Sequence, residues 1–323
     1  MIWASWRQQR TETLITAGML ALLAALLVPT GLHMASVYDH EGLAGCLGTN
    51  NFGLPTNTCR LAIDSFSARF EHLGGLLTWF NLIPGLIGVL LAAPLLLELE
   101  TGTHRLAWTQ SITRSRWITA KLGVTLGTAL LAALALTLLM TWWRGPLDHL
   151  RGRMETNVFD FEGTVSIGYV FFGLGLALAV GVVWRRTVPA LVVGFAGYIA
   201  ARIFVQTWLR QRYQAPITSV TAIGARGPDL HGAWVLVGVP SDKHGHQLPD
   251  TANLIQSCAR AVNSQIRTLS PGCLAQHGAG YNLVMYQPAN RFWLFQGIET
   301  ALFAGTALVL IAFSAWWLHE RTS

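Results

Sequence analysis

Two ionisable side chains sit inside apolar runs: Arg202 in Ala200-Ala201-Arg202-Ile203-Phe204 and Glu299 in Gly297-Ile298-Glu299-Thr300-Ala301. A charge in such surroundings is costly unless it pairs or lines a polar path, so the two are predicted to form an interhelical ion pair. Such a pair either fixes the register of two helices or takes part in substrate passage and gating; the sequence leaves both open. Four cysteines form the second candidate set. Cys46 and Cys59 lie 13 residues apart, Cys258 and Cys273 lie 15 apart, and neither spacing is a CxxC. Local disulfides, Cys46–Cys59 and Cys258–Cys273, are the preferred pairing of the three that four cysteines allow. Their role is structural.

Enzymatic motifs fail at particular residues. His40-Glu41 lacks the second histidine of HExxH, since position 44 is alanine. Gly163-Thr164-Val165-Ser166-Ile167-Gly168 has one residue too many for a nucleophile elbow. His244 and His246 flank Gly245 in a polar turn with no acidic or cysteine cluster, and read as solvated, not as metal ligands. The only lysines are Lys121 and Lys243; neither follows a glycine, so the Gly-Lys-Ser/Thr end of a P-loop is absent. Gly123-x-x-x-Gly127 matches a helix-packing motif.

The elements that carry these residues follow from composition. Of 323 residues 52% are apolar and 12% charged, about half the charge of a soluble domain, and mean hydropathy is +0.43. Neither soluble globules nor disorder fits. The formal charge of +6 comes without any basic run, so nucleic acid is not an expected partner. A spanning helix needs about 20 apolar residues, and six runs qualify: 14–34, 76–97, 122–143, 165–184, 188–208 and 292–317. The fold class is thus an all-α polytopic membrane protein with six transmembrane helices. Segments 1–13 and 98–121 read as amphipathic helices, 35–75 and 144–164 as extracellular loops, 209–291 as a small extracellular α+β cap, and 318–323 as a cytoplasmic tail. Within the cap, Ala233–Val239 alternates like a strand, and Asp250 opens a helical stretch reaching about Leu269.

Orientation follows the cations. With the N-terminus inside, Arg7, Arg10, Arg105, Arg114, Arg116, Lys121, Arg185, Arg186 and Arg321 face the cytoplasm. The short outer loops hold Arg60, Arg69, Arg144, Arg151 and Arg153, and all four cysteines fall on the oxidising side. Both termini are therefore expected in the cytoplasm, and the chain in the plasma membrane.

The stretch Glu98-Leu99-Glu100-Thr101-Gly102-Thr103 through Arg114-Ser115-Arg116 to Lys121 is longer than a connector requires and reads as a docking surface. With Trp3-Ala4-Ser5-Trp6-Arg7-Gln8-Gln9-Arg10 and Tyr286-Gln287-Pro288 through Glu299, it resembles the permease subunits of type-2 ABC exporters, closest to the actinobacterial members that open with a Trp/Arg-rich helix. Such permeases often carry a proline shortly before the arginine where this chain has Ser111-Ile112-Thr113. The resemblance implies two permeases, expected as a homodimer, working with two cytosolic ATPase subunits that bind ATP and Mg. It also implies that Glu98, Glu100, Gly102, Thr103, Arg105, Arg114, Arg116 and Lys121 form the ATPase-coupling element. No catalytic residue, metal or cofactor is expected in this chain. The cargo that suits a Leu-, Ala-, Gly- and Phe-rich bundle is a hydrophobic or amphipathic drug, lipid or peptide. The alternative is a membrane sensor or scaffold that binds a ligand through its outer domains.

Overall fold

A computed structural model describes residues 2–47, 57–103, 113–225, 227–248, 251–261, 267–269 and 271–320. It divides into two compact units: a helical unit of residues 1–150, 156–213 and 293–323, and a smaller unit of 151–155 and 214–292.

The helical unit contains α1 (Ile2–His40), α2 (Asn57–Phe80), α3 (Ile83–Thr101), α4 (Arg114–Arg151), α5 (Val165–Trp184), α6 (Thr187–Phe204) and most of the last helix, Phe292–Glu320. All but α2 carry windows long and apolar enough to cross a membrane, which makes six. α5 is apolar all round and 78% of its most apolar window is buried; a helix of that kind belongs in the middle of a bundle. It packs on α3 and α6 through glycines. A Cβ on Gly88 would stand 2.1 Å from the Val170 carbonyl oxygen, one on Gly173 2.9 Å from the Gly85 oxygen, and one on Gly194 2.9 Å from the Ala177 Cα. Backbones approach this closely in membranes because lipid supplies no hydrophobic drive and dispersion must hold the helices together. Gly123 and Gly127 behave otherwise: nothing lies within 4 Å of a Cβ on either. Their GxxxG spacing is not a packing contact among the described residues.

Helix ends follow local chemistry. Gly102, left-handed at φ 72°, ends α3. Arg185 adopts φ 54° and donates its N–H to Gly181 O, so a two-residue link turns α5 into α6. Across the bundle, Glu100 Oε2 accepts the Thr187 N–H at 2.8 Å and satisfies a donor that the start of α6 leaves open.

Three expected boundaries are corrected. Segments 1–13 and 14–34 form one helix, α1, because no glycine or proline interrupts residues 2–17 and Gln9 is drawn into the bundle. There Gln9 accepts a hydrogen bond from Thr125 Oγ1 at 3.2 Å and donates to Thr128 Oγ1 at 3.4 Å. The 35–75 loop is largely helical. α2 occupies 57–80 and buries Phe66 and Phe70, the former edge-on to Tyr38, so the span expected from Leu76 starts instead at Ile83 after the Asn81-Leu82 turn. Residues 114–121 extend α4 to 38 residues, about 57 Å at 1.5 Å per residue. Positions 104–112 of the expected coupling element, Arg105 among them, lie outside the described residues, as does Arg321.

The smaller unit holds an antiparallel sheet in the order β1-β5-β2, built from β1 (Ile217–Ala222), β2 (Trp234–Ser241) and β5 (Tyr281–Gln287). Register runs Ile217↔Tyr286 to Ala222↔Tyr281, with a bulge in β2 between Val235 and Val237. The expected helix from 250 to 269 is corrected: the helix α7 (Thr251–Cys258) ends at Cys258, and β3 (Ala259–Ala261) pairs with β4 (Arg267–Leu269). Asp250, its expected first residue, lies outside the described residues. A straight helix to Leu269 would carry the chain about 16 Å away from Cys258, whereas the hairpin returns it so that Cys273, at the start of α8 (Pro271–Gln276), meets Cys258 with Cα atoms 5.5 Å apart. The last helix, after β5, is α9.

Gly88→Ala should overpack against backbone that cannot yield, costing about 1–3 kcal/mol. Thermal unfolding of the purified chain in detergent should register that loss, with Gly123→Ala as a near-neutral control.

Candidate functional site

A buried charge cluster forms in the helical unit where the end of α6, the start of α9 and the 160 segment meet. The α6 axis does not end at Phe204. It continues as a π turn, Val205–Leu209, and a 3-10 turn, Arg210–Arg212. Residues eight apart on an α-helix point about 80° apart; a π turn winds each residue through a smaller angle and removes most of that offset. Arg210 thereby shares a face with Arg202.

Both guanidiniums close on two carboxylates. Arg210 grips Glu299 at two points, Nε to Oε2 at 2.9 Å and Nη2 to Oε1 at 2.7 Å, and Nη2 also reaches Asp160 Oδ1. Arg202 Nη2 stands 2.7 Å from Asp160 Oδ2, and its Nη1 stands 3.4 Å from Glu299 Oε1. The Arg202 guanidinium also lies 3.7 Å from the Tyr169 ring centre, and that of Arg210 lies 4.4 Å from the Phe159 ring centre. Tyr169 places its hydroxyl against both carboxylates, Tyr213 donates to Glu299 Oε2 at 3.2 Å, and Asn81 Oδ1 accepts from Arg202 at 3.4 Å. Both carboxylate side chains have no exposed surface. Two positive and two negative charges are thus enclosed with formal balance, the condition under which buried ions persist.

Burial alone would raise the Asp160 carboxyl; Arg202 and then Arg210 outweigh it and hold it below the usual carboxylate range. Burial, reinforced by Glu299, pushes the Tyr213 hydroxyl well up, so it serves Glu299 as a neutral donor.

α9 keys into this region at helical spacing. Gln296 Oε1 accepts the N–H groups of Thr164 and Val165 at 3.1 and 3.0 Å, and its Nε2 donates to Phe159 O at 2.8 Å. Thr300 Oγ1 meets Thr164 Oγ1 at 2.8 Å, and Phe303 stacks edge-on to Tyr169. One face of α9 therefore caps α5 and neutralises α6. A second buried ion group lies nearby in sequence: Arg144 Nε stands 3.1 Å from Asp148 Oδ1 and 3.3 Å from Glu162 Oε1.

The sequence-expected pair Arg202 and Glu299 is brought together, but the closer partners are others, Asp160 for Arg202 and Arg210 for Glu299. Neither was singled out from sequence. Asp160 lies in a segment read as a loop, and Arg210 lies beyond an apolar run; the eight-residue spacing from Arg202 hides the alignment that the π turn creates. The expected coupling residues are spread over several roles. Glu98 and Lys121 pair with each other at 2.8 Å, with side chains 13% and 10% exposed. Glu100 caps α6, Gly102 ends α3, and Thr103 meets Thr101 through their hydroxyls at 3.3 Å. Arg114 Nη1 donates to His319 O at 3.2 Å, and Arg116 is exposed. Cys46 and Cys59 stand at bonding distance, as do Cys258 and Cys273.

Six apolar helices among the described residues, one of them mostly buried, define a multi-pass membrane protein of the helix-bundle class. The family model described as ABC-2 membrane transporter related matches residues 17–210, and the chain belongs to that family, whose members are membrane components of transporters. The matched range takes in Asp160, Arg202 and Arg210; Glu299 joins them from beyond it. No curated protein and no solved structure matches the chain.

Removing one ion should cost more than removing an opposed pair. Glu299→Leu or Arg210→Met should each destabilise by about 3–5 kcal/mol, while the double variant loses clearly less than their sum; thermal unfolding of the four chains closes the cycle. The depressed Asp160 carboxyl adds stability that is complete above an unfolded value of about 3.9 and is lost as pH falls through the lower folded value. Below pH 4 the stability of Asp160→Asn should therefore fall less steeply than that of the unaltered chain.

Proposed function

We propose that this chain is the membrane-spanning permease subunit of an ABC exporter, driven by a cytosolic ATPase subunit that binds ATP and Mg. The observation that carries the reading is the family match, which runs through α1–α6. Two others support it. The sequence has no P-loop lysine, so energy would arrive through a partner, and exposed polar groups stand just after α3, at Thr103, and at the start of α4, at Thr113, Ser115, Arg116 and Thr119.

In this reading both termini and the 102–119 region face the cytosol, in the plasma membrane, and the sheet unit lies outside. The dock for the ATPase is narrower than the whole 98–121 stretch. Glu98, Lys121 and Glu100 hold α3, α4 and α6 to one another, and Arg116 with its neighbours offers the contact. Two copies of the chain with two ATPases complete the transporter. Its cargo is a hydrophobic or amphipathic compound, a class that fits the apolar lining of the helices.

A membrane-impermeant thiol reagent should label Lys243→Cys in intact cells and Ser115→Cys only after the membrane is opened; the reverse pattern overturns the orientation. Arg116→Glu should abolish co-purification of a P-loop ATPase from the native host, while Arg69→Glu, exposed on α2, leaves it intact. Co-purification unaffected by Arg116→Glu removes the proposed dock.

A further inference from the structure

The π turn at Val205–Leu209 is the feature of α6 that the transporter reading does not use. Its geometry is well supported in the chain. The Arg210 N–H bonds to Val205 O across five residues, and the Val205 N–H is shared between Ala201 O and Arg202 O. Carbonyls around the wide turn find other donors: Thr207 Oγ1 donates to Ile203 O at 2.7 Å, and Arg212 Nη1 donates to Trp208 O at 3.0 Å. π turns inside helices are uncommon and recur at functional positions. This one accommodates one residue more than regular winding needs.

We propose that this turn is a winding switch that couples α6 to α9, a proposal that rests on the transporter reading for its purpose but not for its test. In the structure the π turn aligns Arg210 with Arg202 and presents both to Asp160 and Glu299. If the turn rewinds as α-helix, Arg210 rotates by about 80° and leaves the Glu299 carboxylate. Tyr213, three residues on, rotates with it. It donates to that carboxylate and packs its ring edge-on to Phe295 at 5.5 Å between centres. Every direct side-chain tie from the end of α6 to Glu299 then breaks in one motion, apart from Arg202, whose closer partner is Asp160. Regular winding regains uniform hydrogen bonds; the π form gains the double grip of Arg210 on Glu299. Two discrete arrangements of one segment, each with its own set of bonds, are what a bistable element requires. In a transporter the switch would free the start of α9 from the end of α6 in one state and clamp it in the other.

The extra residue provides the test. Deleting Thr207 shortens the separation of Arg202 and Arg210 to seven residues, about 20° short of two full α turns, so the cluster can close with regular winding and no second register remains. Spin labels on cysteines introduced at the exposed positions Gln211 and Leu302 report the α6–α9 distance in the full chain, the native cysteines being bridged. The otherwise unaltered labelled chain should give one dominant distance. Glu299→Gln, which weakens the hold on Arg210, should add a second population, and Glu299→Gln combined with the Thr207 deletion should remove it. No second population in Glu299→Gln overturns the switch. A second population that survives the deletion also overturns it, because the motion is then a hinge and not a change of winding. Should the deleted chain fail to fold, amide exchange decides: in Glu299→Gln the amides of 206–212 should exchange at least tenfold faster while those of α5 stay protected, and unchanged exchange overturns the proposal. None of these readouts needs an ATPase. A chain that switches but binds no ATPase tells against the transporter reading alone.

Discussion

The carboxylate of Glu299 sets the terms for the region of the helical unit where α6 ends and α9 begins. It has no exposed surface, and a charge in such a place survives only with counter-charge and donors arranged around it. Those groups come from separate stretches of chain: Arg202 and Arg210 from α6 and its extension, Tyr169 from α5, and Tyr213 from just beyond. Asp160 completes the balance by holding the outer nitrogens of both guanidiniums. Because each group is satisfied by at least two others, the four ions behave as one unit. The helices that carry them are fixed in register by it.

Glycine supplies the other constraint. α3, α5 and α6 meet where side chains are missing: backbone lies against backbone at Gly88, Gly173 and Gly194, and the Tyr198 ring lies over Gly85. Such an interface tolerates little adjustment, since backbone atoms cannot choose another rotamer. The bundle thus combines a rigid three-helix packing with an ion cluster at the end of α6, where the winding itself is irregular.

Much of this was legible in the sequence. Length of apolar run was enough to find six helices, because a helix in lipid must satisfy its own backbone and little else can. Arg202 and Glu299 were visible as charges in apolar text. The rest was hidden for physical reasons. Asp160 and Arg210 lie outside the six long apolar runs, in segments that read as loop and cap, and their burial depends on how three distant segments meet. The π turn has no composition signal in Val205-Gln206-Thr207-Trp208-Leu209. α2 was read as loop because its apolar residues are spread along an amphipathic face, not gathered in a run. The helix expected from Asp250 to Leu269 followed a periodicity that holds as far as Cys258, where the disulfide and the hairpin override it. The carboxylates of the 98–121 stretch looked free to meet a partner, yet Glu98 and Glu100 are spent on Lys121 and on the first turn of α6.

The order of the four ions along the chain has a consequence for synthesis. Asp160 is made 50 residues before Arg210, and Glu299 89 residues after it. At about 5–20 residues per second, roughly 4–18 s separate the completion of α6 from the arrival of its second counter-ion. During that interval the nascent α6 carries two guanidiniums against one carboxylate. A segment with surplus charge settles poorly in hydrocarbon, so the end of α6 is costly to bury until Glu299 has been made. Truncation anywhere between the two helices therefore leaves a product with two arginines against the single carboxylate of Asp160.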